Sequence, residues 1–436
     1  MFDGIQNVPR IPELRRRLGF TLMMLAIYRL GVAVPTPGID GQALSEFFMA
    51  AGAAGLFGMV NLFSGGALER FSIFALGIMP YISASIILQL MTMVVPYLER
   101  LKKEGEQGRK KITQYTRYGT VLLATVQGFF ISLGLEQIQA PGGGSVVFEG
   151  GWAFRGMTIL TLTSGTVFIM WLGEQISERG IGNGISLIIF AGIVASIPSA
   201  VTATLDFTRQ GELGPLVLLV LAAIMVATVG AIIFVERGQR RIPVQYAKRV
   251  VGRKMMGGQS THLPLKVNTA GVIPPIFASS LLIFPVTIAG FVQHPWLQGA
   301  ADALTPDTLL YNLIYVAAIV FFCYFYTAVT FNPEDVAENM QKQGGFVPGI
   351  RPGRRTAEHI DRILTRLTLG GAIYVSAVCV LPTVLISQFN VPFFFGGTAL
   401  LIVVGVAIDT VAQMQSHLIQ RSYDGFLKKG KVRGRA

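Results

Sequence analysis

The chain has 436 residues, 52% of them hydrophobic and only 14% charged. A soluble chain carries about 25% charged residues. The long apolar runs exclude an ordinary string of soluble domains, because about 18 or more apolar residues in a row read as a membrane span. The net charge of +12 is explained by membrane orientation and requires no nucleic acid, although long basic loops also suit ribosomal RNA.

In chain order, Arg10 and Arg15–Arg17 precede the first apolar run, Leu18–Val34. Val34, Pro35, Thr36 and Pro37 follow it where a signal peptide would carry small residues, so the run reads as a retained span. Nine further runs follow: Phe71–Val95, Tyr118–Leu135, Met157–Leu172, Ile185–Leu205, Leu213–Val235, Ala270–Val292, Leu309–Phe331, Leu369–Phe389 and Phe393–Met414. Arg29 and Asp409 are the only charges inside the ten runs, both near an end, where snorkelling to the interface is the simplest reading. Pro80, Pro198, Pro274, Pro275, Pro285 and Pro382 interrupt runs and predict kinks. Cys323 and Cys379 lie in apolar runs without metal-ligand spacing and read as packing residues.

Basic residues set the orientation. Of 36 Lys and Arg, 32 fall in alternate loops and the two terminal segments, and three in the opposite loops. The positive-inside rule places both termini in the cytoplasm. Phe47–Val60 is apolar but too short to cross. Were it to cross, the basic loop at 96–117 would move outside. The segment from about Gly41 to Arg70 is therefore expected to enter and leave on the outer face, sheltered from lipid by protein or a water-filled cavity. Five runs precede the linker at 206–213 and five follow it, so residues 1–205 and 214–436 form two halves of inverted topology. No Walker A sequence, HExxH pair or facing carboxylates appear, which argues against an enzyme or a pump and implies no cofactor.

Long motifs narrow the reading. Asn61-Leu-Phe-Ser-Gly-Gly-Ala-Leu continues into Phe71-Ser-Ile-Phe-Ala-Leu-Gly-Ile-Met-Pro-Tyr-Ile-Ser. Gly173-Glu-Gln-Ile-Ser-Glu-Arg-Gly-Ile-Gly-Asn-Gly-Ile-Ser, Arg240-Arg-Ile-Pro-Val-Gln-Tyr-Ala-Lys-Arg and Thr261-His-Leu-Pro-Leu-Lys-Val-Asn follow. Asn332-Pro-Glu-Asp, Phe346-Val-Pro-Gly-Ile-Arg-Pro-Gly and Phe395-Gly-Gly-Thr-Ala-Leu-Leu-Ile complete the set. Together they resemble the bacterial SecY family across essentially the whole chain.

The resemblance implies an all-α membrane protein, with ten transmembrane helices in a clam-shell of two inverted five-helix halves. Polypeptide bearing a signal peptide would pass through its pore or leave sideways into the lipid bilayer of the plasma membrane. The implied partners are the SecE and SecG subunits, the SecA ATPase and the ribosome. The implied pore ring is Ile78, Ile82, Ile185, Ile189, Ile276 and Ile402. Spacing supports the pairs 78/82 and 185/189, each on one helix face, although isoleucine in a span commonly just faces lipid or a neighbour. Ile319, in the eighth run, is expected outside the ring.

The implied plug is about Met59–Arg70, with Asn61, Phe63, Ser64, Gly65 and Gly66, and glycine backbone freedom at 65–66 would let it bend. Ser83, Gln89 and Gln127, with Thr287 opposite, would line a lateral gate, or serve only as interhelical glue. Arg240, Arg241, Lys248, Arg249 and Arg351 would meet SecA or ribosomal RNA; Gly349 and Gly353 are expected to shape a fixed turn around Arg351. The alternatives are a secondary transporter for a small solute, which ordinarily needs ionisable residues at depth, and an insertase, which needs a charged groove.

Overall fold

Prolines stand in the first two positions of six of the thirteen described helices. The computed structural model describes residues 11–50, 61, 64–138, 145–211, 214–246, 249–251, 254–256, 260–291, 308–389 and 397–429. The long helices are α1 (Pro12–Val32), α3 (Met79–Val94), α5 (Glu106–Gln137), α6 (Trp152–Arg179), α7 (Gly184–Arg209), α8 (Pro215–Glu236), α9 (Ile273–Phe291), α10 (Leu309–Thr330), α12 (Arg354–Phe389) and α13 (Gly397–Lys429). Shorter helices are α2 (Gly41–Ala50), α4 (Pro96–Lys103) and α11 (Pro333–Lys342). Strands β1 (Gln239–Tyr246), β2 (Arg249–Val251), β3 (Lys254–Met256), β4 (Ser260–Lys266) and β5 (Gly345–Phe346) lie in the basic loops.

The ten long helices coincide with the ten apolar runs. Among the described residues, seven helices are long and apolar enough to cross a membrane, or eight if the pair α3 and α4, bent by 98°, forms one span. Helix α1 carries Arg15–Arg17 and Arg29, and the apolar stretch counted in α9 is Ile273–Leu282, short of a full crossing.

Three details differ from the sequence reading. Pro80 is in the first turn of α3 rather than inside a span, and Pro274 and Pro275 directly follow the first residue of α9. A proline there loses no helical hydrogen bond, and its fixed φ favours a helix start. Of the six, only Pro198, Pro285 and Pro382 lie in helix interiors. Secondly, the second run does not begin as helix. Residues 71–78 are turns, and α3 starts at Met79. Thirdly, Val95 before Pro96 is extended (φ −95°, ψ 113°), which produces the bend into α4.

The non-helical stretch is tied back to the first span. The amide of Ile73 donates to the Val34 carbonyl (3.0 Å) and that of Thr36 to Phe71 (2.9 Å), with Pro35 and Ser72 as antiparallel partners. The chain therefore leaves α1 and returns beside it at the same level, forming a re-entrant segment. Glycines permit the close packing. A Cβ at Gly31 would collide with the Phe74 ring, and one at Gly165 would fall on the Ile73 carbonyl.

Helices α1, α3, α5, α6 and α7 pack as one group and α8, α9, α10, α12 and α13 as a second. The groups meet along two seams, α9 against α3 and α5, and α13 against α7. A buried apolar cluster runs through both groups. Leu122, Leu160, Leu216, Leu219, Val226 and Phe234 are exposed, an apolar surface suited to lipid.

Gly165→Ala should lower the midpoint of thermal unfolding in detergent, because overpacking at a closed site costs about 1–3 kcal/mol. Gly156→Ala on the same helix, where a Cβ meets nothing within 4 Å, should leave the midpoint unchanged or slightly higher.

Candidate functional site

The six isoleucines come from four helices, and those helices carry the two seams. Ile78 precedes α3 and caps it (φ −94°, ψ 0°), with Ile82 one turn on; the Ile82 amide donates to the Ile78 carbonyl at 3.1 Å. Ile185 and Ile189 lie on α7, Ile276 in the first turn of α9, and Ile402 on α13. Five of the six are buried members of one cluster, and Ile185 is half-buried against it, close to Gly173. Members on α3 and α9 flank one seam, and members on α7 and α13 the other.

Ile319, expected outside the ring, lies on α10, which packs against α9 and α12 and borders neither seam, yet it is not an outward-facing residue. It is 0% exposed and belongs to the same cluster. The eighth run carries both a buried face and an outward one, and spacing could not assign Ile319 between them. Leu313 on that helix is 60% exposed and represents the outward face.

The segment beside the cluster is bracketed by its own side chains. Asn61 Oδ1 accepts from the Glu69 amide (3.1 Å) and its Nδ2 donates to Glu69 Oε2 (3.2 Å). The Asn61 carbonyl accepts from the Gly66 amide and from Ser64 Oγ (2.9 and 3.0 Å). Gly65 and Gly66 both have positive φ, 68° and 84°. Gly65 is also pressed against α7, where a Cβ would stand 2.8 Å from Gly192 Cα. Phe63 lies outside the described residues.

Two side chains of α1 reach this segment. Tyr28 is buried and donates its hydroxyl to the Ser64 carbonyl at 3.0 Å; Arg29 Nη1 donates to the Gly65 carbonyl at 2.6 Å. Arg29 is exposed elsewhere along its length. It therefore does more than snorkel, because its guanidinium is held by a backbone carbonyl. The sequence signal was there, since Arg29 is the only charge in the first run, but a carbonyl partner has no sequence signature. Asp409 does match the interface reading: it is exposed and pairs with Lys266 at 3.8 Å.

Ser83 and Gln89 on α3 and Gln127 on α5 are half-buried. Gln89 donates to Ser85 on its own helix (3.1 Å) rather than across the α3–α9 seam. The side chain of Thr287 lies outside the described residues. The polar contact that does cross is Ser280 Oγ to Met79 Sδ at 3.9 Å, while Ser280 also donates to the Ile276 carbonyl at 2.7 Å. At the other seam the Gly182 amide donates to Gln413 Oε1 at 2.9 Å.

A family profile described as SecY matches residues 72–411. The protein translocase subunit SecY of Escherichia coli (strain K12) is 53% identical over 426 residues, covering 97% of this chain and 96% of that one. The chain belongs to the SecY family. Among solved structures it matches one described as showing that the plug domain of the SecY protein stabilises the closed state of the translocation channel and maintains a membrane seal, with TM-score 0.65, 18% identity and coverage of 98% and 99%. It also matches the channel of the canine ribosome–channel complex from the endoplasmic reticulum, with TM-score 0.62, 17% identity and the same coverage.

In this SecY-family chain the two basic loops form a single body, which the sequence reading treated as separate loops. β1 pairs antiparallel with β4 on one side and β5 on the other, so 236–269 and 332–368 share a sheet. Ile242, Val244 and Leu265 pack against Met340, Val347 and Ile360. Arg240 and Arg241 are exposed successive residues of β1 and project from opposite faces. Arg351 is exposed in a turn between Gly349 (φ 82°) and Gly353 (φ 99°), and its carbonyl accepts from Thr356 Oγ1 at 2.9 Å. Lys248 lies outside the described residues, and Arg249 is described only as backbone of β2. At the base of this body, buried Asn268 donates to Glu236 Oε1 (2.7 Å) and to the Gly271 carbonyl (3.0 Å), and accepts from the Gly271 amide (3.1 Å). Asn268 thereby ties the sheet to the end of α8 and the start of α9.

Proposed function

We propose that this chain is the central, protein-conducting subunit of a bacterial export translocase. It passes unfolded polypeptide across the plasma membrane and releases apolar segments sideways into lipid. The observation that carries the reading is the buried isoleucine cluster built from both seams, with a re-entrant segment seated beside it. An apolar neck excludes water and hence ions, and β-branched side chains, stiff at χ1, make it a defined constriction. Separating α3 and α5 from α9 would part the ring and open a sideways route at once.

In this reading residues 1–205 and 214–436 are the two halves of the clam-shell, joined by the linker at 206–213, although α7 runs on to Arg209. Residues 59–70 are the plug, and Ser83, Gln89, Gln127 and Thr287 border the lateral gate. Both termini and the joined basic body face the cytoplasm, where Arg240, Arg241, Lys248, Arg249 and Arg351 meet a driver, either SecA or the ribosome. SecE and SecG complete the complex. The subunit hydrolyses nothing itself, and the driver supplies the energy.

Depletion of the chain should stop secretion of a signal-peptide-bearing precursor, and re-expression should restore it; unaffected secretion would overturn the reading. In planar bilayers, Ile402→Asn should raise resting ion conductance and admit precursors with defective signal peptides, whereas Leu313→Asn should not. Equal leak from both would mean that the cluster is ordinary packing. Arg351→Glu should abolish SecA-driven transport in inverted vesicles while the chain stays folded and inserted. Transport at the normal rate would remove Arg351 from the docking surface.

A further inference from the structure

We propose that Tyr28 and Arg29 form a latch: two consecutive side chains of α1 that grip two consecutive carbonyls, Ser64 and Gly65, and hold the segment at 64–70 in its seat. The proposal rests on the reading of that segment as the closing plug and assigns the residues that set how firmly it closes.

The segment is built as a detachable unit. Asn61 and Glu69 clasp each other through side chain and backbone, and the Asn61 carbonyl holds Ser64 and Gly66. These bonds stay inside the segment and survive its displacement. Among the described residues, the side-chain hydrogen bonds that reach it from another helix are those of Tyr28 and Arg29. The segment continues into the chain through Ser72, whose amide donates to the Ala67 carbonyl at 2.9 Å. That junction can act as a pivot, but it cannot choose between a seated and a displaced segment.

The Tyr28 donor is fixed without help from the segment. The Tyr28 ring stacks on Phe74 (centroids 6.0 Å apart, planes 12° apart), and Phe74 stacks in turn on Phe168. The hydroxyl is thus aimed before the carbonyl arrives. Arg29 is exposed away from its contact, so its guanidinium is not enclosed together with the carbonyl it holds. A tie buried throughout would leave an unpaired charge on opening; this one can be remade. Where the latch closes, Gly65 meets Gly192, one turn along α7 from Ile189. Gripping the carbonyls therefore seats the segment directly beside the isoleucine cluster.

A hydrogen bond to a charged partner corresponds to a factor of roughly ten to a hundred in an equilibrium, and a neutral one to somewhat less. The experiment uses the full chain reconstituted with its partner subunits, measuring resting conductance in planar bilayers and export of a reporter with a defective signal peptide. Tyr28→Phe keeps the stacked ring and removes only the hydroxyl, so it tests the latch without endangering the fold; Arg29→Gln removes the charge. Each should raise leak and reporter export several-fold while an intact precursor is exported at the wild-type rate. Gly65→Ala unseats the segment by collision with Gly192, and adding Arg29→Gln to it should raise the leak no further. Wild-type leak and reporter export in both Tyr28→Phe and Arg29→Gln would overturn the latch. So would leak increments that add in full to Gly65→Ala, which would show the two residues supporting α1 rather than holding the segment. Failure of the unmodified chain to export the intact precursor would instead overturn the channel reading itself.

Discussion

The architecture depends on one constraint: backbone that is not helical at membrane depth must find its hydrogen-bond partners within the protein, because lipid provides none. Residues 65–78 are such backbone. Their amides and carbonyls are matched by Val34 and Thr36 of the chain leaving α1, by Asn61, and by the Arg29 side chain, with Tyr28 holding the Ser64 carbonyl just before them. Satisfying them demands close approach, which is why Gly31, Gly165 and Gly192 stand where Phe74, Ile73 and Gly65 come in. A single Cβ at Gly165 would push the Ile73 carbonyl away from the helix that shelters it.

Once that segment is placed, Ile78 and Ile82 follow. They stand at the start of α3, immediately after the turns, and are buried in the apolar cluster that both helix groups share. The remaining members arrive from α7, α9 and α13, the helices of the two seams. The six isoleucines are thus drawn from both groups, on the helices that meet at the joints. The basic body is connected to the same joint. Asn268 couples the base of the β1–β4 pair to the first residues of α9, and α9 is the seam helix that carries Ile276.

Much of this was legible in the chain. All ten helices lie where apolar runs predicted them, and the re-entrant segment followed from length and loop charge. The failures have specific causes. Pro80 was read as a kink because proline looks alike at a helix start and in its interior; only the turn preceding it separates the two. That Ile319 would be buried was not legible, because on an all-apolar helix the buried face and the lipid face have the same composition. The partner of Gln89 was equally hidden: its side chain donates to Ser85, four residues away on its own helix, and a sequence does not tell such a local partner from one across a seam.

The sequence by itself determined the number and order of the spans, their expected orientation and the family. Transfer to lipid is a sum over local residues, and the charge bias is a count over loops; neither requires knowledge of which helices touch. Only the tertiary structure decided which side of each helix faces inward and that the two basic loops share one sheet. It also decided that the lone arginine of the first span ends on the carbonyl of Gly65. Those outcomes depend on partners brought together from distant parts of the chain, and a backbone carbonyl, present at every residue, leaves no mark in the sequence to say which one will be held.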